Sequence, residues 1–352
     1  MKQLLTHSRH SCFKNCRRAE QFAYEWKLRR EIDSKPLRMG SAHHDAIEKL
    51  GMGLGIDAAC EAIRKRYEVR PDQVDELEWR YEEETLLRIA AAYNWRWADD
   101  RLEYLATELP FNIPLLNPKT ERPTPHFSLA GKIDGIVRLG DGRIACKESK
   151  LFGDDIGPDS PLWRRMRIDQ QVTLYTYAAR QLGYAVECVL YDVARKPVIS
   201  PTQVPTLDSD GLKVVVDRQG NRVFNKAAEG KVPKPRQTAD TELGYTLLSR
   251  PMTPVEWGDK LTEDIGRRPE FYFNRVEIAR LDKDIHDFRE ELWDVQQSLR
   301  ACQNSGSFYR TVGKQSCDWC SYFNLCESNW TPEQPTPDGF VILDDPHPEL
   351  KG

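Results

Sequence analysis

The sequence predicts an α/β protein in which a mixed β-sheet is flanked by helices. Three observations carry that prediction. Stretches of helical and strand character follow one another as helix, strands, helix, strand. Two Ile/Val-rich runs, 131–139 and 143–150, flank Gly140-Asp141-Gly142 and read as one hairpin. A strand-like run at 185–193 directly follows a helix-like run at 168–182.

In chain order, residues 11–30 read as a helix with Phe22, Tyr24, Trp26 and Leu28 supplying apolar surface. A turn at Lys35-Pro36 leads through Gly40-Ser41-Ala42-His43-His44 into a second helix carrying Ala46, Ile47 and Leu50. Residues 72–106 read as helical, with charges on one side and Leu86, Leu87, Ile89 and Tyr93 on another. Residues 108–116, ELPFNIPLL, alternate like a strand. Residues 200–255 turn rich in Pro, Gly and Asp, with a second hairpin about Gln219-Gly220-Asn221, and read as an insertion or lobe. Ile278, Leu281, Ile285, Phe288, Leu292, Val295 and Leu299 recur at three- and four-residue steps, one apolar stripe on a helix that packs on the protein's own core. The tail after Trp330 is Pro-rich and acidic and is expected to be loose. The expected organisation is one domain over 1–330 and a tail over 331–352.

The chain has 352 residues, enough for a large core, and a net charge of −4, so any nucleic-acid contact must come from a local basic patch. Residues 1–10 lack an apolar signal core, and no apolar run approaches the ~18 residues of a membrane span, so a cytoplasmic protein without membrane contact is expected. Cysteine clustering in such a compartment points to metal rather than disulfides.

The hairpin carries the first chemistry. A three-residue loop with Gly142 left-handed pairs residues whose numbers sum to 282, which sets Asp134 opposite Glu148. Alternation puts Glu148 and Lys150 on one face. Two carboxylates so close need a proton or a cation between them. Hard oxygen donors suit Mg²⁺ or Mn²⁺, and a lysine there can orient or deprotonate a water. On the following helix Gln171 and Tyr175 share a face at four-residue spacing, and Arg164, Arg165 and Arg167 just before it suit a DNA backbone. Near the C-terminus, C-x₂-C-x₅-C supplies three thiolates, Cys317, Cys320 and Cys326. Zinc or an iron–sulfur cluster needs a fourth, drawn from Cys12, Cys16, Cys60, Cys146, Cys188 and Cys302.

Taken in order, Cys16, Gly40 with His44, Asp134, Glu148-Ser149-Lys150, Gln171 with Tyr175, and Cys317/Cys320/Cys326 resemble the PD-(D/E)XK nuclease superfamily. Within it, the chain looks like the RecB-type exonuclease branch with a four-cysteine iron–sulfur cluster, which includes the AddB nuclease domain and the CRISPR-associated nucleases that trim new spacers. The resemblance runs from about residue 8 to 326. It implies a restriction-endonuclease-like core whose N- and C-terminal segments join at the cluster. It implies that His44, Asp134, Glu148 and the carbonyl of Ser149 hold Mg²⁺ or Mn²⁺, and that Lys150 is the catalytic lysine. His43 falls at a usually apolar position. Gln171 and Tyr175 would bind DNA near the cut. Cys16 would complete a [4Fe–4S] cluster with Cys317, Cys320 and Cys326, with Cys12 a rival one turn away and zinc the alternative metal. Glu108 stands where the family often has an acid.

The expected activity is a metal-dependent exonuclease acting on single-stranded DNA ends in repair, recombination, or phage- or CRISPR-type processing; the alternative is a non-cutting DNA-binding subunit of a larger assembly. No Walker motif is present, so unwinding would need a helicase partner. Leu151 replaces the usual small polar residue after the lysine, Arg17 replaces a proline after the first cysteine, and residues 200–255 have no counterpart.

Overall fold

The computed structural model describes residues 2–100 and 102–350. The chain starts with strand β1 (Gln3–Leu5), helices α1 (His7–Asn15) and α2 (Arg17–Glu20), a π-turn (Gln21–Glu25) and β2 (Leu28–Arg30). Helices α3 (Lys35–Gly51), α4 (Gly55–Arg66) and α5 (Glu76–Arg96) follow. Then come β3 (Glu103–Leu116), β4 (Pro123–Arg138), β5 (Ile144–Phe152), α6 (Pro161–Met166), α7 (Gln170–Gln181) and β6 (Val186–Arg195). A lobe of short strands, β7 (Gln203–Pro205), β8 (Val215–Val216), β9 (Thr246–Leu247) and β10 (Ser249–Pro251), precedes α8 (Pro254–Arg267), α9 (Pro269–Tyr272), β11 (Phe273–Ala279) and α10 (Asp282–Ser305). Two short helices, α11 (Lys314–Cys317) and α12 (Phe323–Glu327), and a last strand, β12 (Phe340–Ile342), complete the fold.

The expected mixed sheet with flanking helices is present. β4, β5, β6 and β11 pair in that order, β5 with β6 in parallel and the other neighbours antiparallel. β4 is long enough to be shared. β3 runs antiparallel along one edge, while the other edge pairs with β1 at Phe127–Leu129 and with β5 only from Gly135 to Arg138. Past Gly135↔Lys147 the two strands therefore diverge, and β5 continues beside β6 alone.

One face of the sheet packs on α7 and α10, where Ile136, Cys146, Val172, Ala178, Val189, Tyr191 and Leu292 share one core. The other packs on helices α3, α5 and α8 through Ile47, Ile89, Tyr93, Ala194, Trp257 and Leu261. Covered on both sides, β5 is buried from Ala145 to Ser149. Among the described residues no helix is long and apolar enough to cross a membrane.

Several sequence-based boundaries need correction. The helix expected over 11–30 breaks at Cys16, whose extended backbone (φ −157°) separates α1 from α2. Lys35-Pro36 opens α3 rather than preceding it, because proline is well placed in a first helical turn. The helix expected to reach 106 ends at Arg96, and residues 103–106 belong to β3. Ile278 of the apolar stripe lies on β11, although Ile285, Phe288, Leu292 and Leu299 do pack on the core. The tail expected to be loose is docked: Phe340–Ile342 pairs with Leu28–Arg30, and His347 is buried.

Candidate active site

The hairpin turn forms as its residues dictate. Gly142 is left-handed (φ 92°), its N–H donates to Leu139 O at 2.9 Å, and Gly135↔Lys147 fixes the register at the expected sum of 282. The next pair would be Asp134 and Glu148, but the ladder stops there as the strands fork. Asp134 fills the gap. Its Oδ2 accepts the Ser149 N–H at 2.8 Å, in place of the ladder bond.

One more donor reaches Asp134, from α3. His43 and His44 sit mid-helix on α3, about 100° apart around its axis, so one turns inward and the other toward the strands. His43 is buried, while His44 Nε2 lies 2.9 Å from Asp134 Oδ1 and 3.6 Å from Glu108 Oε1. Glu108 is on β3 in a left-handed conformation (φ 50°), rare for a residue with a Cβ and costing about 1–3 kcal/mol. It stands between Thr107↔Gly135 and Leu109↔Ile133, across from Asp134. Among the described residues, His44, Glu108 and Asp134 form the one set of three His/Cys/Asp/Glu ligand atoms within 4.8 Å of one another. They line a pocket of about 10 Å³, room for one water or ion.

Glu148 is buried beside this set. One carboxylate oxygen meets Lys150 Nζ at 2.6 Å, and the other has no partner. Lys150 Nζ also donates to Gln171 Oε1 at 2.8 Å, and Gln171 Nε2 donates to the Tyr175 hydroxyl at 3.2 Å. The structure thus brings Gln171 and Tyr175 into the acid–lysine constellation. Arg164, Arg165 and Arg167 lie exposed on α6 and just after it; Arg165 pairs with Asp154.

Electrostatics follow from crowding. Burial and the charge of Asp134 push Glu148 up to about 7 despite Lys150. Burial opposes the charge of His44, but Asp134, Glu108 and Glu148 outweigh it and lift the imidazole to about 9. Burial would raise Asp134, yet His44, Lys150 and the Ser149 amide hold it below its ordinary value. The site keeps one proton on His44 and tends to keep another on Glu148. A divalent cation bound there would displace both.

Sequence reading missed the support beneath. Lys147, fully buried, lies 3.3 Å from Asp192 Oδ2 on β6 and donates to Ser149 Oγ. Asp192 also accepts from Tyr93 and faces Arg275 Nε at 3.4 Å. Ionised residues inside a covered strand must be paired to remain there. The available signal was the run Lys147-Glu148-Ser149-Lys150 beside Tyr191-Asp192-Val193, charges inside strands otherwise apolar.

Apart from this site, Cys16, Cys317, Cys320 and Cys326 line one cavity of about 320 Å³. Cys12 does not line it; it packs with Phe22 and Tyr24 in the adjoining aromatic cluster. No three of these sulfurs fall within 4.8 Å of one another. Backbone N–H of Thr311 points at Cys16 Sγ (3.4 Å) and Arg310 Nε at Cys326 Sγ (3.1 Å).

A forked mixed sheet whose fork gathers a histidine, three carboxylates and a lysine is the scaffold of a hydrolase that works with a hard divalent cation. The chain belongs to the PD-(D/E)XK nuclease superfamily, whose family model matches residues 4–327. That membership makes it a metal-dependent phosphodiesterase of the nuclease type. A comparison with curated proteins finds no match.

Proposed function

We propose that the protein is a DNA exonuclease that cuts single-stranded ends at the fork between β4 and β5. The observation that carries this reading is Glu148: a fully buried carboxylate with one oxygen on Lys150 and the other unpartnered, beside His44, Glu108 and Asp134. A buried carboxylate oxygen without a partner is costly, and a cation that displaces the proton favoured there by burial would be the partner it lacks. His44, Asp134, Glu148 and the Ser149 carbonyl would hold Mg²⁺ or Mn²⁺, with Glu108 completing the donor set. When bound, the cation acidifies a water and offsets charge on the scissile phosphate.

The chain's own groups do the remainder. Lys150 has three N–H donors; Glu148 and Gln171 take two, and the third is free to hold the attacking water or a phosphate oxygen. Tyr175 accepts from Gln171, so its own O–H is left to donate to the DNA backbone. Arg164 and Arg167, exposed on the approach to α7, supply further phosphate contacts. Single-strand preference and exonucleolytic action rest on the resemblance to the RecB-type branch, as does action in the cytoplasm alongside a helicase or recombination partner.

Cys16, Cys317, Cys320 and Cys326 would carry a [4Fe–4S] cluster with a structural role. Tetrahedral zinc at about 2.3 Å per bond draws its sulfurs to within about 4 Å of one another. The wider spacing and the large cavity favour a bigger group.

The test is cleavage of end-labelled single-stranded DNA by anaerobically purified protein with Mn²⁺ or Mg²⁺, wild type beside Lys150→Ala. Metal-dependent laddering from one end, absent in the variant, supports the proposal. A folded, cluster-loaded wild type that binds DNA without cutting it points to the non-cutting subunit instead.

A further inference from the structure

After β6 the chain leaves the sheet at Arg195 and returns at α8, and the excursion builds a small β-lobe. β7 and β10 form its stem. Above the stem, Val223 N donates to Val215 O, Arg236 N to Val223 O and Asn225 N to Lys234 O, so short strands run side by side and end in the loop 226–234. Val215 and Val223 are buried inside the lobe. Side chains alternate along a strand, so Phe224 must face away from that small core, and half its surface is open to solvent.

The charge of this segment is unlike the rest of the chain. Residues 213–236 hold seven Lys/Arg against two Asp/Glu, in a protein of net charge −4. Arg222 pairs with Asp208 and lies over the Phe224 ring at 5.9 Å; Arg236 pairs with Asp240. Lys213, Lys226, Lys231 and Lys234 are exposed and make no ion pair among the described residues. β6 runs parallel to β5 with Lys150 beside Val193 and Phe152 beside Arg195. The lobe therefore departs from the same end of the sheet as Glu148 and Lys150.

From these placements we propose that the hairpin spanning 222–236 is a docking finger for single-stranded DNA, stacking a base on Phe224 and holding the phosphates with Lys226, Lys231 and Lys234. The proposal rests on the nuclease reading for its substrate. Lysines alone describe a solvated loop. An exposed ring braced by a guanidinium serves no solubilising purpose, and unpaired bases all present a π-face to such a platform. A duplex, with its bases stacked, would use the lysines and ignore the ring.

The test is fluorescence anisotropy with labelled oligothymidylate of about 20 nucleotides, longer than one such site, in EDTA across a salt series. The Lys226/Lys231/Lys234→Ala variant should bind more weakly, and its slope of log affinity against log salt should flatten by about 2. Phe224→Ala should bind about tenfold more weakly at every salt with the slope unchanged, and should bind duplex DNA like wild type. Wild-type affinity and slope in both variants would overturn the proposal, as would a Phe224→Ala loss equal on single strand and duplex. Hydrolysis of thymidine 5′-p-nitrophenyl phosphate with Mn²⁺ is run in parallel. It reports the fork without the finger and should be unchanged in all variants. A wild type inert toward both this ester and DNA would remove the nuclease reading, while the anisotropy still decides whether the finger binds.

Discussion

The backbone N–H of Ser149 donates to Oδ2 of Asp134 at 2.8 Å. Through that bond, the acid of one strand is fixed to the strand that carries Glu148 and Lys150, at the point where the ladder between them has run out. The site is a product of the fork: an unpaired strand amide needs an acceptor, and the acid that supplies it is also the one that faces His44.

Lys150→Ala should lower metal-dependent cutting of end-labelled single-stranded DNA by about 10²–10⁴-fold. It removes the free ammonium donor and the cation that holds Glu148 down, so the Glu148 pKa rises further. Thermal melting checks that the variant folds. A folded Lys150→Ala protein cutting at the wild-type rate would rule out the role assigned to the lysine.

Glu108→Gln should raise the metal concentration for half-maximal cutting by about tenfold, with activity recovered at saturating metal. Glu108 is one of the three closely spaced donors but already shares its charge with Lys132. A metal titration of initial rates measures this. An unchanged half-point would place Glu108 outside the ligand set.

Cys16→Ser and Cys317→Ser should give colourless, poorly soluble protein, whereas Cys12→Ser should stay brown. The reason is that Cys16 and not Cys12 lines the cavity shared by the three C-terminal cysteines. Visible absorbance and iron content per chain settle it. A colourless Cys12→Ser beside a brown Cys16→Ser would exchange the two assignments.

His10 lies buried against Phe288, its Nε2 without a partner, and burial with the charges of Lys14 and His7 pushes it down to about 3. The unfolded chain takes up this proton below about 6.5 and the folded protein does not. Stability from this group is therefore complete above 6.5 and lost as pH falls toward 3, at up to about 1.4 kcal/mol per pH unit. His10→Phe should remove one proton's worth of that slope in urea melts taken between pH 6.5 and 4.

The register at the hairpin was legible because turn chemistry fixes it locally: Gly142 set the sum, and Gly135↔Lys147 obeys it. The order of helices and strands was legible from apolar spacing. What the sequence hid depends on partners far away in the chain. Nothing local marks Cys16 as a break, Ile278 as a strand residue pairing with Val189, or Phe340 as the partner of Arg30. Glu108 showed only as an acid before the hairpin; its aim comes from a positive φ that no glycine announces. Lys147 was missed because the groups that hold it in the interior lie far off in sequence: Asp192 on β6, forty-five residues later, and Tyr93 on α5, some fifty residues earlier.

Phe22 stacks on Tyr322 at 5.4 Å, Leu28–Arg30 pairs with Phe340–Ile342, and Cys16 shares its cavity with Cys326. Residues 16–30 thus have their partners some three hundred positions later in the chain. At about 5–20 residues per second, a nascent chain waits some 15–60 seconds with Phe22, Trp26 and Cys16 uncovered. Chaperone occupancy and oxygen exposure during translation, more than equilibrium stability, should set how much of this protein a cell recovers intact.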